Sequence, residues 1–285
     1  MAINQAQLFD LLTEYRCENW RGIQTPEWQE KIVRSMAAYD EPVILKRIAP
    51  HWKLPQDALI LDLGSGVGNF VVACRNRGLK AFGIEPDRIA QGALVTSLQI
   101  ACQRLDSPAF AAALGEQLPF ADATFDLVVL DQVIEHVSDQ TRVLAEAFRV
   151  LKPGGAMYVA CPNYLRFYEP HYKTWFFPLL PKVLGAFYLR LRGRDPVLLK
   201  QLKYTTNWRV RKLLKRVQAE HVVDLNVQDF REKCSPESSG FASRKARLVQ
   251  QLTRTPWLSA PVLRAASLYV RLREGGCEML AIKEA

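Results

Sequence analysis

The stretch Leu61-Asp62-Leu63-Gly64-Ser65-Gly66-Val67-Gly68-Asn69-Phe70 decides the fold class of this 285-residue chain. An apolar strand pattern runs into a glycine-rich turn, and an apolar helix pattern follows the turn. Such glycines let backbone N–H groups and a helix N-terminus converge on a bound ligand. The stretch therefore predicts the first strand, the ligand-binding turn and the first core helix of an α/β sheet.

From Ala58 onward, short apolar runs alternate with helical patterns. The predicted strands are Ala58–Leu63, Lys80–Ile84, Phe110–Leu114, Phe125–Leu130, Ala156–Cys161, His221–Val227 and Cys277–Ile282. Alternation of this kind predicts a parallel sheet covered by helices on both faces, which is a Rossmann-like three-layer α/β sandwich. The run Lys152-Pro153-Gly154-Gly155 is predicted to end the helix before the fifth strand.

The composition along the chain predicts four parts. Residues 1–56 are expected to form an N-terminal helical extension, with one helix starting at Thr25-Pro26-Glu27. Residues 57–163 are expected to form the ligand-binding core. Residues 164–206, called the aromatic segment below, are expected to form a lid or a substrate insertion. Residues 207–285 would complete the core around a helical insertion at 228–274, after a basic helix capped by Thr206 or Asn207.

Two carboxylates indicate the charge of the ligand. The glycine spacing is GxGxG rather than the GxGxxG of dinucleotide sites, and Asp62 stands two residues before the first glycine. A carboxylate there would repel a pyrophosphate and attract an ammonium or sulfonium group. Glu85 ends the next strand, about 20 residues past the glycine turn, where an acid can accept both ribose hydroxyls. The sequence therefore predicts a positively charged nucleoside.

Four motifs follow one another between Leu61 and Asn163: LDLGSGVGNF, FGIEPD, LPFADATFDLVVLDQVIEHV and LKPGGAMYVACPN. Together they resemble the class I S-adenosylmethionine-dependent methyltransferases, particularly the type 11 group related to ubiquinone and menaquinone biosynthesis. The resemblance implies a seven-stranded, mostly parallel sheet with an antiparallel last strand, and S-adenosyl-L-methionine as cofactor. The implied cofactor-binding residues are Asp62, Gly64, Ser65, Gly66, Gly68, Glu85, Pro86, Gly115, Glu116, Asp131 and Gln132. One position departs from the family: Leu114 stands where an acidic residue usually precedes the Leu-Pro-Phe triplet.

The residues after the fourth and fifth strands bear on the methyl acceptor. Family members that methylate amines of nucleobases or glutamine carry Asn/Asp-Pro-Pro-Tyr/Phe after the fourth strand, whereas this chain has Asp131-Gln132-Val133-Ile134. By this resemblance an oxygen acceptor is favoured, with carbon second. His136 and His171 are candidate catalytic bases, and a structural role for each stays open. The candidate substrate-binding residues are Tyr164, Tyr168, His171 and Tyr172. No metal site is predicted, because no two histidines or cysteines share ligand spacing.

The basic residues are concentrated in the second half of the chain. The net charge is +9, and residues 165–274 carry 22 Lys and Arg against 8 Asp and Glu. This excess suggests an anionic partner, although a solvated basic face is the alternative. Aromatic, aliphatic and arginine side chains between Trp175 and Arg194 fit a lid over a lipid-like substrate or peripheral contact with an anionic membrane; a packed insertion is equally open. Nucleic acid is disfavoured because no RNA-binding module is recognised.

Six scattered cysteines without a CxxC pair and the absence of a signal-peptide pattern predict a cytoplasmic protein, peripheral at the membrane in the lipid-facing version. The leading hypothesis is methyl transfer to an oxygen, or else a carbon, of a small amphipathic or anionic acceptor. An RNA methyltransferase and a non-catalytic protein that binds S-adenosylmethionine are the alternatives. The sequence predicts neither the acceptor nor the oligomeric state.

Overall fold

The computed structural model describes residues 2–19, 25–37, 41–86, 96–105, 108–219, 221–234, 249, 252–253, 256–273 and 276–284. Its strands are β1 (Leu59–Leu63), β2 (Lys80–Glu85), β3 (Phe110–Ala112), β4 (Phe125–Asp131), β5 (Leu151–Cys161), β6 (His221–Asp224) and β7 (Cys277–Ile282). They form a seven-stranded sheet in the order β3-β2-β1-β4-β5-β7-β6. Strands β1 to β5 pair in parallel, whereas β7 is antiparallel to both β5 and β6. The predicted sheet, with its antiparallel last strand, is confirmed.

Helices cover both faces of the sheet. They are α1 (Gln5–Asn19), α2 (Pro26–Ala37), α3 (Val43–Ile48), α4 (Asn69–Arg75), α5 (Ser97–Gln103), α6 (Gln140–Val150), α7 (Lys182–Leu191), α8 (Val197–Gln201), α9 (Asn207–Arg216), α10 (Leu225–Lys233) and α11 (Pro256–Arg273). Alternate strand residues such as Leu61 and Val128 pack against α6 and α9, while Ile60 and Leu127 pack against α3, α4 and α10. The predicted three-layer arrangement is confirmed.

Two local predictions differ from the structure, and one helix cap is confirmed. The strand predicted to reach Val227 ends at Asp224, because the Asp224 carboxylate accepts the Val227 N–H at 3.2 Å and starts α10 there. β5 begins at Leu151, so the predicted turn at 152–155 lies within the strand, where Gly154 has φ +74°. Thr206 caps α9 as expected, accepting from the Arg209 N–H at 3.1 Å. Residues 235–248 of the predicted insertion lie outside the described residues.

The strand order indicates where a ligand-binding crevice lies. The chain runs outward from β1 through β2 to β3 and then returns to place β4 on the other side of β1. Ligands in open α/β sheets bind beyond the carboxyl ends of the strands at such a reversal. The glycine turn after β1 and the segment after β4 therefore meet at the same edge. Among the described residues, no helix combines the length and the apolar character that a membrane span requires.

Candidate functional site

A cleft of about 590 Å³ opens at the carboxyl edge of β1, β2 and β4. Its volume lies in the range of small-molecule sites. Seven of the predicted cofactor residues line it: Gly64, Gly66, Glu85, Pro86, Gly115, Glu116 and Gln132. None of the other four lines the cleft: Asp62, Ser65 and Asp131 each adjoin a lining residue in the chain, whereas Gly68 is two residues from Gly66.

The glycine turn gives the cleft its floor. Gly64 has φ +77°, its N–H donates to the Ile84 carbonyl at 2.7 Å, and a Cβ there would lie 2.6 Å from Val133 Cγ2. Gly66 has φ +52°, and a Cβ there would meet no atom within 4 Å. Gly66 therefore presents bare backbone to open space. This is the cradle that a ligand approaching the backbone needs.

Ser65 and Gly68 shape the turn from behind. The Ser65 hydroxyl is buried, and a Cβ on Gly83 would lie 2.6 Å from it. A Cβ on Gly68 would lie 2.6 Å from the ring of Phe110. Both positions thus pack the turn closely against β2 and β3.

Glu85 ties the second strand to the glycine turn. Its Oε2 accepts from the Gly66 N–H at 2.9 Å, and its Oε1 accepts from the Ser97 hydroxyl at 3.0 Å. Each carboxylate oxygen has two acceptor positions, so a single carboxylate can accept from several donors. The side chain is held in place before any ligand binds.

The edge of the sheet carries an excess of negative charge. Asp62 is only 5% exposed, and burial, followed by the charges of Asp131 and Glu85, raises its pKa well above the usual value. Desolvation also raises the pKa of Asp131, against a hydrogen bond from Gln132 that lowers it. A cation beside these groups would stabilise their ionised forms.

Glu116 joins two loops at the far end of the cleft. Its Oε1 accepts from the N–H groups of Ser138 and Asp139 at 3.0 and 3.3 Å, and its carbonyl accepts from Arg142 Nε at 2.9 Å. Leu114, in the position that is usually acidic, is 56% exposed and lines the cleft. Gly115 and Glu116 therefore offer backbone to the cleft, and Leu114 offers an apolar contact.

Three side chains beside the cleft form what we call the Glu–His–His cluster: Glu135, His136 and His171, of which His136 lines the cleft. Their potential ligand atoms all lie within 4.8 Å of one another. The two rings meet edge to face with centroids 5.2 Å apart, and His136 Nε2 lies 3.8 Å from Glu135 Oε1. Burial raises the pKa of Glu135 to about 7. The sequence predicts no metal site because no two histidines or cysteines share ligand spacing. The fold nevertheless brings His171 next to Glu135 and His136, which are far from it in the sequence.

Glu169 holds His171 from behind. The buried Glu169 has its Oε1 2.8 Å from His171 Nδ1 and 3.1 Å from the donating Tyr164 hydroxyl. Its Oε2 accepts from the Tyr172 N–H at 2.6 Å. Because a carboxylate only accepts, the imidazole proton lies on Nδ1. Sequence reasoning missed Glu135 and Glu169, although each lies within two residues of a candidate histidine.

The predicted tyrosine wall lies mostly in the core of the aromatic segment. Tyr172 is fully buried, its hydroxyl accepts from the Leu199 N–H at 3.1 Å, and burial raises its pKa to about 12. Tyr164 is 2% exposed, and Tyr168, although 37% exposed, does not line the cleft. The segment instead contributes Leu198 and Gln201 of α8 to the cleft. Tyr164 and Tyr172 position Glu169, so they act on the site through His171.

Comparison with known proteins gives the same fold and domain type. Residues 61–159 match the family described as a methyltransferase domain. A methyltransferase of Mycobacterium leprae (strain Br4923), described as uncharacterized, is 32% identical over 150 residues, which are 51% of this chain and 50% of that protein. One of Mycolicibacterium gilvum (strain PYR-GCK), described in the same way, is 38% identical over 98 residues, 34% of this chain and 36% of that protein.

One solved structure matches nearly the whole chain. A chain of the Haloferax volcanii complex that contains the Trm112 methyltransferase activator superimposes with a TM-score of 0.50 and 16% identity. The match covers 96% of this chain and 98% of that one, and at this identity it concerns the fold. By contrast, this chain spans about half the length of the curated Mycobacterium leprae relative, so the sequence likeness concerns only part of each protein.

Proposed function

Residues 61–159 belong to the class I S-adenosylmethionine-dependent methyltransferases, and we propose that the chain methylates a hydroxyl oxygen of a small amphipathic or anionic acceptor. The observation that carries this proposal is the buried Asp62, backed by Asp131 and Glu85 at the edge of the cleft. Three carboxylates there favour a ligand with a positive charge over a diphosphate.

The residues present fit S-adenosylmethionine. Gly64 and Gly66 offer backbone to its methionine end, Asp62 supplies the charge, and Glu85 is held where an acid can accept from ribose. Gly115, Glu116 and the apolar Leu114 lie at the end of the cleft left for the adenine. When bound, the cofactor supplies an electrophilic methyl group on a cationic sulfur.

The Glu–His–His cluster supports a hydroxyl acceptor. In the transfer a C–O bond forms and the C–S bond breaks, with the electron pair staying on sulfur. The hydroxyl proton must also leave, so a group near the acceptor has to favour its loss. His136 lines the cleft, and His171 contacts the ring of His136 from a position fixed by Glu169. We assign this task to the cluster.

The outer face of α7 supports an acceptor of lipid-like character. Val183, Phe187 and Leu191 are 82%, 61% and 71% exposed, and the exposed Arg190 and Arg192 lie among them. Trp175 and Phe177 are each about half exposed and stack edge to face. Exposed apolar side chains interleaved with arginines suit the headgroup region of an anionic membrane. The proposed acceptor is therefore one that partitions to such a surface.

Transfer can be tested without knowing the acceptor. The purified chain is incubated with S-adenosylmethionine labelled in the methyl group and with fractionated polar-lipid and small-molecule extracts, and labelled products are identified by mass spectrometry. A methyl ether on a small or lipid-linked molecule is the expected result. Label found in RNA, or none in any fraction from a cell that makes this chain, would contradict the proposal.

Membrane contact is tested separately by co-sedimentation with vesicles of phosphatidylglycerol or of phosphatidylcholine alone. Binding is expected to the anionic vesicles only, and Phe187→Ser with Leu191→Ser should abolish it. Val43→Ser, which changes an exposed apolar residue on α3, is the matched control. Equal sedimentation with both vesicles, or binding unchanged by the α7 substitutions, would argue against this surface.

A further inference from the structure

We infer that Glu135, His136 and His171 bind a divalent first-row transition-metal ion beside the cleft. Their ligand atoms lie within 4.8 Å of one another, close enough for one ion to draw them together. One carboxylate and two imidazoles are the donor set of the two-histidine, one-carboxylate metal sites.

The surroundings of the Glu135 carboxyl group independently favour a cation as its partner. Its side chain is fully buried, and neither carboxylate oxygen has a hydrogen-bond partner within the described part of the chain. A buried carboxyl group without partners is unfavourable, and buried carboxylates are commonly paired or coordinate metals. Its Oε1 faces the imidazole of His136 at 3.8 Å, so the oxygen without a partner is directed into the proposed site.

His171 is held as metal-binding histidines are. Such a histidine usually donates its other ring N–H to a carboxylate, which fixes the tautomer and the ring orientation. Here Nδ1 lies 2.8 Å from Glu169 Oε1, which places the lone pair on Nε2. Glu169 is itself fixed by the Tyr164 hydroxyl and the Tyr172 N–H. The backbone of Glu135 is tied down as well, because its carbonyl accepts from the Lys203 N–H at 2.7 Å.

The types of ligand atom indicate which metal ions would bind and what the bound ion would do. Imidazole ligands suit Fe²⁺, Co²⁺ or Zn²⁺ better than Mg²⁺ or Ca²⁺, which prefer oxygen. Three protein ligands leave positions for water or for an acceptor hydroxyl from the cleft that His136 lines. An ion lowers the pKa of a hydroxyl that binds it, so the proton leaves to solvent before the oxygen attacks. This use rests on the proposed function, whereas the binding of the ion does not.

Metal binding is measured on the full chain, without an affinity tag and after treatment with EDTA. Co²⁺ is titrated by its visible absorption and Mn²⁺ by its EPR signal. We expect one ion per chain, and at least tenfold weaker binding in His136→Asn and in His171→Asn. His221→Asn, which changes an exposed histidine on β6, should bind as the unmodified chain does. Glu169→Gln should weaken binding about 10- to 100-fold, as expected for a residue that orients a ligand.

Two outcomes would overturn the inference: no spectral change at millimolar Co²⁺, or binding that survives both cluster histidine substitutions. Should Glu135→Gln or His171→Asn fail to fold, His136→Asn still decides, because that side chain is 38% exposed. Methyl transfer that continues in EDTA, with no ion bound, would overturn the proposed use of the ion in the reaction and leave the proposed function standing. Ion binding without transfer to any hydroxyl would support the metal site and contradict the proposed function.

Discussion

The glycine turn and the aromatic segment both contribute to one cleft, but they reach it by different routes. In the turn, Gly64 and Gly66 are separated by a single residue in sequence, and the Glu85 that accepts from the Gly66 N–H ends the adjacent strand. In the aromatic segment, His171 meets His136 from 35 positions along the chain, and its orientation depends on Glu169 and Tyr164. Cofactor binding thus depends on local backbone geometry, whereas acceptor chemistry depends on tertiary packing.

The largest expected effect of a substitution lies on the acceptor side. His171→Ala should lower the rate of methyl transfer about 100-fold, roughly 2.7 kcal/mol in activation free energy, because the acceptor hydroxyl loses the group that promotes its deprotonation. Binding of S-adenosylhomocysteine, measured by calorimetry, should stay unchanged. His221→Ala is the control for a histidine outside the cleft. Equal losses of transfer and of cofactor binding would show that the two sides of the cleft are not separate.

On the cofactor side, Asp62→Ala and Glu85→Ala should each weaken binding of S-adenosylhomocysteine about tenfold, the loss of one charge-assisted contact. Calorimetric titration measures both. Asp57→Ala, an exposed carboxylate that precedes β1, serves as the control. Unchanged binding in both variants would show that Asp62 and Glu85 do not bind the cofactor. The claim that local backbone geometry and these carboxylates form the cofactor site would then be wrong.

The part of the site that sequence predicted is the part whose contacts are local. A strand, glycines with positive φ and an acid at the next strand end are all specified within 25 residues, from Leu61 to Glu85. The unpredicted part depends on burial, which periodicity alone does not reveal: Glu135 and Glu169 look like surface acids in sequence and are fully buried. The prediction for Tyr172 was wrong in the opposite sense: the side chain was expected at a pocket wall, but it is buried in the core of the aromatic segment.

The fold itself was readable because each strand is a short apolar run between turn residues. The exceptions have local causes. One carboxylate at Asp224 converts the end of a predicted strand into a helix start, and an apolar Val227 cannot signal that change. At β5, pairing of Leu151 with Phe125 extends the strand across glycines that read as a turn. In both cases a single tertiary or capping contact outweighs the sequence pattern.

A smaller effect concerns pH. Burial raises the pKa of Asp62 in the free protein, and a bound cation would lower it again. Between these two values the free protein carries a proton that binding must release, so affinity for S-adenosylmethionine should rise with pH and fall as the medium becomes acidic. Calorimetry in buffers of different ionisation enthalpy detects the released proton. Asp62→Asn should bind without it, and release that persists in this variant would assign the proton to another group.

The smallest expected effect is on stability, at neighbouring positions of α7. Phe187→Ser should change the free energy of unfolding by no more than about 0.5 kcal/mol, because the ring is 61% exposed and removing it leaves no cavity. Leu189→Ala, two residues along the same helix, should cost about 2–5 kcal/mol, because Leu189 is fully buried beside Tyr172 and Phe176. Urea denaturation measures both. A Phe187→Ser variant destabilised as much as Leu189→Ala would mean that the outer face of α7 is covered by protein. The proposed contact of this face of the aromatic segment with a membrane would then be wrong.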